Sequence, residues 1–454
     1  MSFAITSISP IDGRYSRQTE SLKPVFSEFG LIKNRVKVEI LWLIALSNDK
    51  EIKELPKFSK QSLKYLDQLF LDFSEKDAKA VKEIESKTNH DVKAVEYWLR
   101  NQLKKKKLNK ANEFIHFSLT SEDVNNLAYA LMLKEGLSET IVPSIKKISS
   151  ILKANSKKFA SLPMLSRTHG QTASPTTLGK EFANINYRIE RQITQLKNQE
   201  ILGKINGAVG NYNAHISAYP KKNWPAFSKN FISSLKLTYN PLTTQIEPHD
   251  FIAEIFQNVS RINTILIDLN RDIWGYISLG YFKQKVIKGE IGSSTMPHKV
   301  NPIDFENSEG NLGLSNAILS HLAEKLPLSR WQRDLTDSTV LRNIGVGFSY
   351  GLIAYNSCIK GLNKLEVNKS IIHEELNQSW EVLAEPIQTV MRKNGIENSY
   401  EKLKDITRGK GKISADKIHH FIKNLKISNE DKTYLLELTP QTYIGVAPQL
   451  AKKN

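Results

Sequence analysis

Residues 250–273 read DFIAEIFQNVSRINTILIDLNRDI, and the spacing of their apolar side chains indicates the fold class. These side chains recur at alternating steps of three and four positions, at Ile252, Ile255, Val259, Ile262, Leu266, Leu269 and Ile273. This spacing places them on one face of an α-helix for about three heptads. A helix of this kind is roughly 30 Å long and packs lengthwise against other helices.

Three other segments show the same long helical periodicity, and they cover residues 141–152, 178–196 and 341–362. Pro143 fits the first turn of a helix, where its missing N–H does no harm. Short alternating strand patterns are nearly absent from this region, so we predict an all-α protein built around a long-helix bundle. Helices of this length rarely bury their apolar faces within one chain, which indicates an oligomeric core.

The chain has 454 residues, which is too many for one compact core. We predict three helical domains. Residues 1–112 form an N-terminal domain of shorter helices, and residues 113–365 form the central long-helix bundle. Residues 366–454 form a C-terminal domain, in which Gly409, Gly411 and Pro440 interrupt shorter helical patterns.

The chain is strongly basic, with a formal net charge of +17. Such a balance is compatible with small anionic substrates, nucleic acid or anionic lipid. The lysines are scattered, and the dense run at residues 104–107 is typical of a solvated surface. Aromatic residues do not alternate with basic ones as they would on a platform for single strands. A basic helical nucleic-acid-binding protein is the alternative from another functional class.

The sequence favours a cytoplasmic protein without a membrane partner. Cys358 is the only cysteine, so no intrachain disulfide is possible. Residues 1–15 lack the basic start and apolar stretch of a signal peptide. No apolar run approaches the roughly 18 residues that a membrane span requires.

Residues 292–302, which read GSSTMPHKVNP, carry the strongest chemical signal. Two prolines, a glycine and small hydroxyl residues predict a loop. Serine hydroxyls, the His298 imidazole, the Lys299 ammonium and the Asn301 carboxamide precede the first acidic residue, Asp304. Such a set suits the binding of an anion and the stabilisation of negative charge that develops beside it.

This segment resembles the signature loop of the fumarase/aspartase superfamily, whose members cleave C–N or C–O bonds and release fumarate. Every fixed position of Ser-Ser-x-Met-Pro-x-Lys-x-Asn-Pro is filled. His298 suits the adenylosuccinate lyase family better than fumarase or aspartase, which usually have glycine or alanine there. Further stretches are similar to blocks of that family: residues 88–92 (TNHDV), His116 with residues 119–123 (LTSED), and residues 166–172 (SRTHGQT). Residues 14–15 and 330–342 resemble its nucleotide-binding segments.

The resemblance implies a C–N lyase of purine nucleotide biosynthesis. It would eliminate fumarate from adenylosuccinate, giving AMP, and from SAICAR, giving AICAR. The family assembles as homotetramers whose active sites are shared between subunits, and it uses no metal or other cofactor. No G-x-G-x-x-G motif indicates a dinucleotide. Another fumarate-releasing lyase, such as argininosuccinate lyase, is the alternative within the superfamily.

The resemblance also assigns the site residues. Ser293 is the base, activated by positive charge such as that of Lys299, and His169 is the acid. His169 precedes Gly170 in a polar stretch ahead of the helix that begins near residue 178. The remaining residues would bind substrate: Arg14, Tyr15, Asn89, His90, Asp91, His116, Thr120, Ser121, Thr168, Gln245, Ser294, Lys299, Val300, Asn301, Asn307, Arg333, Ser338, Thr339, Val340, Leu341 and Arg342.

Overall fold

The computed structural model describes residues 5–285, 296, 299–407 and 413–453. Within them the chain is predominantly α-helical, which confirms the predicted all-α class. Sheet structure in the same residues is confined to pairs of short strands. None of the helices in this part of the chain combines the length and apolar character needed to cross a bilayer.

The helices that precede residue 137 are α1 (Lys23–Phe26), α2 (Glu28–Asn48), α3 (Lys60–Leu71), α4 (Glu75–Thr88), α5 (Asp91–Lys105) and α6 (Ser121–Gly136). Short 3-10 turns lie at Glu20–Leu22 and Asn109–Phe114. α2 is longer than the sequence pattern suggested. Its apolar residues are distributed around the helix and most of them are buried, so it lacks the amphipathic stripe by which a helix is recognised.

The next helices are α7 (Val142–Lys158), α8 (Leu178–Asn198), α9 (Asn213–Ala218), α10 (Trp224–Ser234), α11 (Asp250–Ser278), α12 (Ile303–Lys325), α13 (Thr336–Leu341) and α14 (Ile344–Lys364). Pro143 lies in the first turn of α7 as predicted, but the helical backbone does not begin there. α6 continues through a π-turn at Leu137–Ile141 into α7. A single π-turn inside a longer α-helix is the form in which π-helical backbone mostly occurs.

Four of these helices correspond to the predicted periodic segments, although the last segment is divided. Leu341 ends α13, and α14 begins only at Ile344. The predicted apolar face of α11 is buried along its whole length within the single chain. This face therefore does not by itself require an oligomer. Large apolar side chains elsewhere do remain exposed, with fractions of 66% for Tyr187, 49% for Trp274 and 50% for Leu314.

The C-terminal helices are α15 (Lys369–Asn377), α16 (Ala384–Lys393), α17 (Ser399–Thr407), α18 (Ala415–Lys423), α19 (Asn429–Glu437) and α20 (Ala447–Lys452), with a 3-10 turn at Trp380–Leu383. The strands are β1 (Pro163–Thr168), β2 (Gln171–Thr177), β3 (Leu202–Gly203), β4 (Thr238–Tyr239), β5 (Phe282–Gln284) and β6 (Leu365–Val367). β1 and β2 form an antiparallel hairpin with an irregularity between Leu165 and Ser166. β3 pairs with β4 in parallel, and β5 pairs with β6 antiparallel.

The chain divides into two compact units. Unit 1 contains Met1–Ile145, Gln192–Thr264 and Gly310–Asn356, and unit 2 contains Lys146–Arg191, Ile265–Glu309 and Ser357–Asn454. In unit 1, Trp42 packs against Phe231, with ring centres 5.1 Å apart. In unit 2, Leu165 of β1 belongs to an apolar cluster with buried residues of the C-terminal helices. The three-domain division stays a prediction.

Candidate active site

Three residues of the predicted substrate-binding set, Asn89, His90 and Asp91, lie where α4 meets α5, in unit 1. Asn89 ends α4 in the left-handed conformation, with a φ of 51°. His90 is extended, and its Nδ1 accepts a hydrogen bond from the backbone N–H of Lys93 at 3.2 Å. Asp91 is the first residue of α5, where the helix dipole stabilises a carboxylate. The left-handed conformation of Asn89 and the hydrogen bond from Lys93 to His90 fix the turn. The His90 ring stays exposed.

Asp91 is the centre of an ion-pair network in unit 1. Its Oδ2 lies 2.7 Å from Nη2 of the buried Arg35 and 3.0 Å from Nη2 of Arg342. Arg342 also pairs with Glu28, at 2.6 Å between Nη1 and Oε2. Burial alone would raise the pKa of Asp91, but Arg35 and Arg342 outweigh burial and lower it, so the carboxylate stays ionised. The network brings the predicted residues Asp91 and Arg342 together.

Two more predicted residues, Arg333 and Gln245, are in contact with each other in unit 1. Nη1 of Arg333 donates to Oε1 of Gln245 at 3.1 Å, and Nη2 lies 2.9 Å from Oε1 of Glu122. Glu122 is only 2% exposed, so Arg333 provides the charge partner that a buried carboxylate needs. Gln245 donates through Nε2 to the carbonyl oxygen of Ala208 at 3.0 Å, which fixes the orientation of its amide.

Buried polar side chains link these two groups. Asn125 donates through Nδ2 to Oε1 of Glu122 at 2.6 Å, and its Oδ1 accepts from Nε of Arg35 at 2.8 Å. A continuous series of polar contacts therefore runs from Arg342 through Arg35 to Arg333. Sequence reasoning did not select Arg35, Glu28, Glu122 or Asn125. The only signal was the presence of Glu122 in the LTSED block, since a buried charge leaves no periodic pattern.

Thr120 and Ser121 lie at the start of α6 in unit 1. The backbone N–H of Thr120 donates to Oδ2 of Asp123 at 2.9 Å. Asp123 also pairs with Nζ of Lys204 at 2.9 Å, and both side chains are fully buried. Oδ1 of Asp123 accepts from the backbone N–H of Asn206 at 3.0 Å. This pair, which the sequence did not reveal, fixes the N-terminus of α6 against the segment that follows β3.

His116 is held by the buried Glu39 of α2. Its Nδ1 lies 2.5 Å from Oε1 of Glu39, and its backbone N–H donates to Oε2 at 3.0 Å. Burial lowers the pKa of His116, but the Glu39 carboxylate outweighs burial and the pKa is raised. The imidazole is therefore tied to the protein, and its contact with substrate stays a prediction.

α13 contains four predicted residues, Ser338, Thr339, Val340 and Leu341. The backbone N–H of Ser338 donates to Oδ1 of the preceding Asp337 at 2.6 Å. The buried Asp337 lies 3.6 Å from Nε2 of His249 and 3.7 Å from Nη2 of Arg333. Burial would raise the pKa of Asp337, but His249 and Arg333 outweigh burial and lower it. α13 is thus attached to the Arg333 group.

Arg14 and Tyr15 lie in the irregular segment before α1. The backbone N–H of Tyr15 donates to the carbonyl oxygen of Pro10 at 2.8 Å. Cζ of Arg14 lies 5.9 Å from the centre of the Tyr15 ring. The Arg14 side chain is exposed, so its guanidinium is accessible to an anionic ligand.

Thr168 and His169 lie in unit 2, at the tip of the β1–β2 hairpin. Thr168 pairs with Gln171, so His169 and Gly170 form a two-residue loop. Both loop residues have positive φ, 53° and 76°, as a type I′ hairpin turn requires. The polar stretch predicted ahead of a helix is therefore a hairpin turn, and α8 begins only at Leu178. The tip is exposed, and so is the imidazole.

Lys299, Val300 and Asn301 lie on the segment that leads into α12 in unit 2. The backbone N–H of Lys299 donates to the carbonyl oxygen of Met296 at 3.0 Å. Nε2 of Gln284 donates to the carbonyl oxygen of Val300 at 3.4 Å. The Lys299 side chain is exposed.

Asn307, in the first turns of α12, accepts a hydrogen bond from the hydroxyl of Ser357 at 2.7 Å. Ser293, Ser294 and His298 lie outside the described residues. Among the described residues, no group of three or more histidine, cysteine, aspartate or glutamate side chains is arranged to hold a metal ion. These residues offer guanidinium and amide groups for an anionic ligand, and an exposed imidazole for proton transfer.

The chain shares its fold with solved structures of enzymes. It aligns with a fumarate lyase from Mesorhizobium sp. BNC1 at a TM-score of 0.76 and 16% identity, over 96% of this chain and 97% of that one. It aligns with 3-carboxy-cis,cis-muconate lactonizing enzyme from Pseudomonas putida at a TM-score of 0.73 and 19% identity, over 96% of each. At these identities the likeness establishes the fold alone.

Sequence comparison is more specific. The family model described as Lyase matches residues 13–317, and the one described as Adenylosuccinate lyase C-terminal matches residues 329–444. The adenylosuccinate lyase of Vibrio cholerae is 58% identical over 452 residues, 99% of each chain. That of Escherichia coli K12 is 58% identical over 445 residues, 98% of this chain and 97% of the relative. The chain therefore belongs to the adenylosuccinate lyase family of lyases.

Proposed function

We propose that the chain eliminates fumarate from adenylosuccinate, giving AMP, and from SAICAR, giving AICAR. The observation that carries this proposal is the 58% identity, over nearly the whole chain, to proteins named adenylosuccinate lyase. The exposed imidazole of His169 and the polar network of unit 1 are groups that suit the binding of a succinyl-purine nucleotide. Purine synthesis of this kind would place the protein in the cytoplasm.

Ser293 and His169 would carry the proton transfers. Ser293 removes a proton from the methylene carbon of the succinyl group, next to the carboxylate that this carbon bears. The electron pair forms the carbon–carbon double bond of fumarate, and the C–N bond breaks. His169 gives a proton to the leaving nitrogen. Lys299 and Asn301 would stabilise the carboxylate on which negative charge develops.

The predicted substrate-binding residues would hold the nucleotide and the succinyl arm. Arg14, Arg333 and Arg342 would receive the ribose phosphate, where the planar guanidinium matches phosphate geometry. The Arg342–Glu28 pair is partly exposed, and pairs of this kind are worth little in water. A bound phosphate can therefore replace Glu28 as the partner of Arg342. Thr120, Ser121, Thr168 and Gln245 would hold the succinyl arm.

We also propose that each active site combines residues from different subunits of a homotetramer. His169 projects from an exposed hairpin tip, as a group supplied to another chain must. α12 also presents an exposed face on which Gly310 and Gly313 lie beside Leu314, and a Cβ added at either glycine would meet nothing within 4 Å. Small residues allow close helix packing, so this face suits contact with another chain.

Fumarate release by the purified protein tests the proposal. With adenylosuccinate, the absorbance change should show turnover that is several orders of magnitude faster than with argininosuccinate. The opposite order would assign the chain to the other lyase activity. Retention on DNA or RNA with a steep dependence on salt, together with no turnover, would support the nucleic-acid-binding alternative instead.

A further inference from the structure

The position of His169 depends on what holds the β1–β2 hairpin below its tip. Residues 168–172 are exposed, so the body of unit 2 does not cover the end of the hairpin. A two-stranded hairpin on its own is marginally stable in water. Contacts of the strands near the tip therefore decide where the imidazole lies.

Arg167, two residues before His169, makes such a contact. Its guanidinium forms an ion pair with Oε1 of Glu375, on α15. The hydroxyl of Tyr281 donates to the other oxygen of the same carboxylate. Cζ of Arg167 lies 5.8 Å from the centre of the Tyr281 ring, so each of the three side chains contacts the other two. We call Arg167, Glu375 and Tyr281 the hairpin clamp.

The ion pair and the hydrogen bond of the clamp are maintained in the neutral pH range. Tyr281 is buried, and Arg167 and Glu375 are partly buried, so their contacts are less screened than those of a surface pair. Burial, and after it the Glu375 carboxylate, raises the pKa of Tyr281, so its hydroxyl stays a donor throughout the neutral range.

The strands below the clamp are attached to the C-terminal helices as well. Leu165 packs in the same apolar cluster as Leu376, the residue next to Glu375. On the other strand, Ser174 hydrogen-bonds to Glu385 of α16. The C-terminal helices thus support both strands, and the clamp lies at the end of this support, next to the exposed tip.

We propose that Glu375 is a positioning residue for the reaction, because it holds the hairpin that presents His169 to the leaving nitrogen. This inference rests on the proposed role of His169 as the acid. Glu375 lies outside every motif that the sequence offered, and it acts through Arg167 without contact with substrate. A proton donor displaced by about 1 Å can lose on the order of 100-fold in rate.

The test compares two neighbouring glutamates of α15. Glu375→Gln removes the charge that holds both Arg167 and Tyr281. Glu374→Gln removes the same charge from an exposed residue that accepts from Gln378, so it is the matched control. With adenylosuccinate, E375Q should lose about 10- to 100-fold in kcat while KM stays within about twofold. E374Q should behave like the unchanged protein.

A folded E375Q protein whose kcat matches that of E374Q would overturn the inference, and so would a KM that rises as much as kcat falls. If E375Q does not fold, Tyr281→Phe removes one hydroxyl from the same clamp and must still lower kcat selectively. His169→Gln separates this inference from the proposed function. An active H169Q protein refutes the acid role itself, whereas an inactive H169Q with an unaffected E375Q refutes only the positioning role.

Discussion

At the scale of single residues, Arg333 and Arg330 form a natural comparison. Arg333 contacts both Gln245 and the buried Glu122, whereas Arg330 is exposed and pairs with Asp334 at 3.4 Å. A lysine has one ammonium and cannot reproduce two contacts of a guanidinium fork. Arg333→Lys should therefore raise KM by about tenfold or more, equivalent to about 1.4 kcal/mol of binding. Steady-state kinetics of R330K, expected to match the unchanged protein, provide the control.

The two serines of the signature segment should differ sharply. Ser293→Ala should lower kcat by several orders of magnitude and leave KM nearly unchanged, because the hydroxyl acts in proton removal. Ser294→Ala should have a milder effect. If the S293A protein kept more than about a tenth of kcat, the base would have to be another group.

The His116–Glu39 contact predicts a pH-dependent contribution to stability. Because the folded-state pKa of His116 is raised, the contact stabilises the protein fully below the unfolded value near 6.5 and loses this effect as pH rises through the folded value. Denaturant unfolding of His116→Gln should show its largest deficit at about pH 6 and a smaller one at about pH 9. A deficit that grows with pH would contradict the assignment.

The site residues that could be predicted from the sequence are mainly those within recognisable motifs. Arg333 and Arg342 are predictable because they fall in a segment that resembles a family. Gln245, which contacts Arg333, lies outside the quoted segments and was assigned by the resemblance of the chain as a whole. Arg35 and Asn125 are not predictable in this way. Each is buried and acts through a partner far along the chain, and nothing in the local sequence marks such a pairing.

At the scale of elements, the hairpin turn should be sensitive to glycine replacement. Gly170 has a φ of 76°, and a Cβ added there would meet no atom within 4 Å, so Gly170→Ala strains the backbone without a clash. Gly395, with a φ of 69° and equally open space, is the matched control. Both changes should cost about 1 kcal/mol in the free energy of unfolding. Only G170A should lower kcat, because only it moves His169; equal kcat values would contradict the role of the hairpin.

The long helices that sequence predicted are those with one apolar face. α8 and α11 show this pattern clearly, because their buried residues recur every three or four positions. α12 was not predicted from the sequence, because Ser308, Asn311 and Ser315 occupy buried positions and interrupt the apolar pattern. The β1–β2 hairpin was not predicted either, because burial along β1 decreases from its base to its tip and does not alternate from residue to residue.

At the scale of the whole molecule, the sequence established the fold class and the family. The tetramer and the three-domain division stay predictions. Long apolar helix faces are weak support for an oligomer, because the chain covers the face of α11 by itself. The stronger support is the exposed hairpin tip with its imidazole, together with exposed apolar side chains such as Tyr187 and Trp274.

In the proposed tetramer, His169 of one chain works with Ser293 of another. His169→Gln and Ser293→Ala proteins should each be inactive, and mixing after gentle dissociation tests the claim. Random reassembly at equal ratio should restore about a quarter of the sites, because those sites receive both intact residues. Subunit exchange is verified by mass. Recovery near this level supports the shared site, whereas no recovery after confirmed exchange would show that both residues come from the same chain.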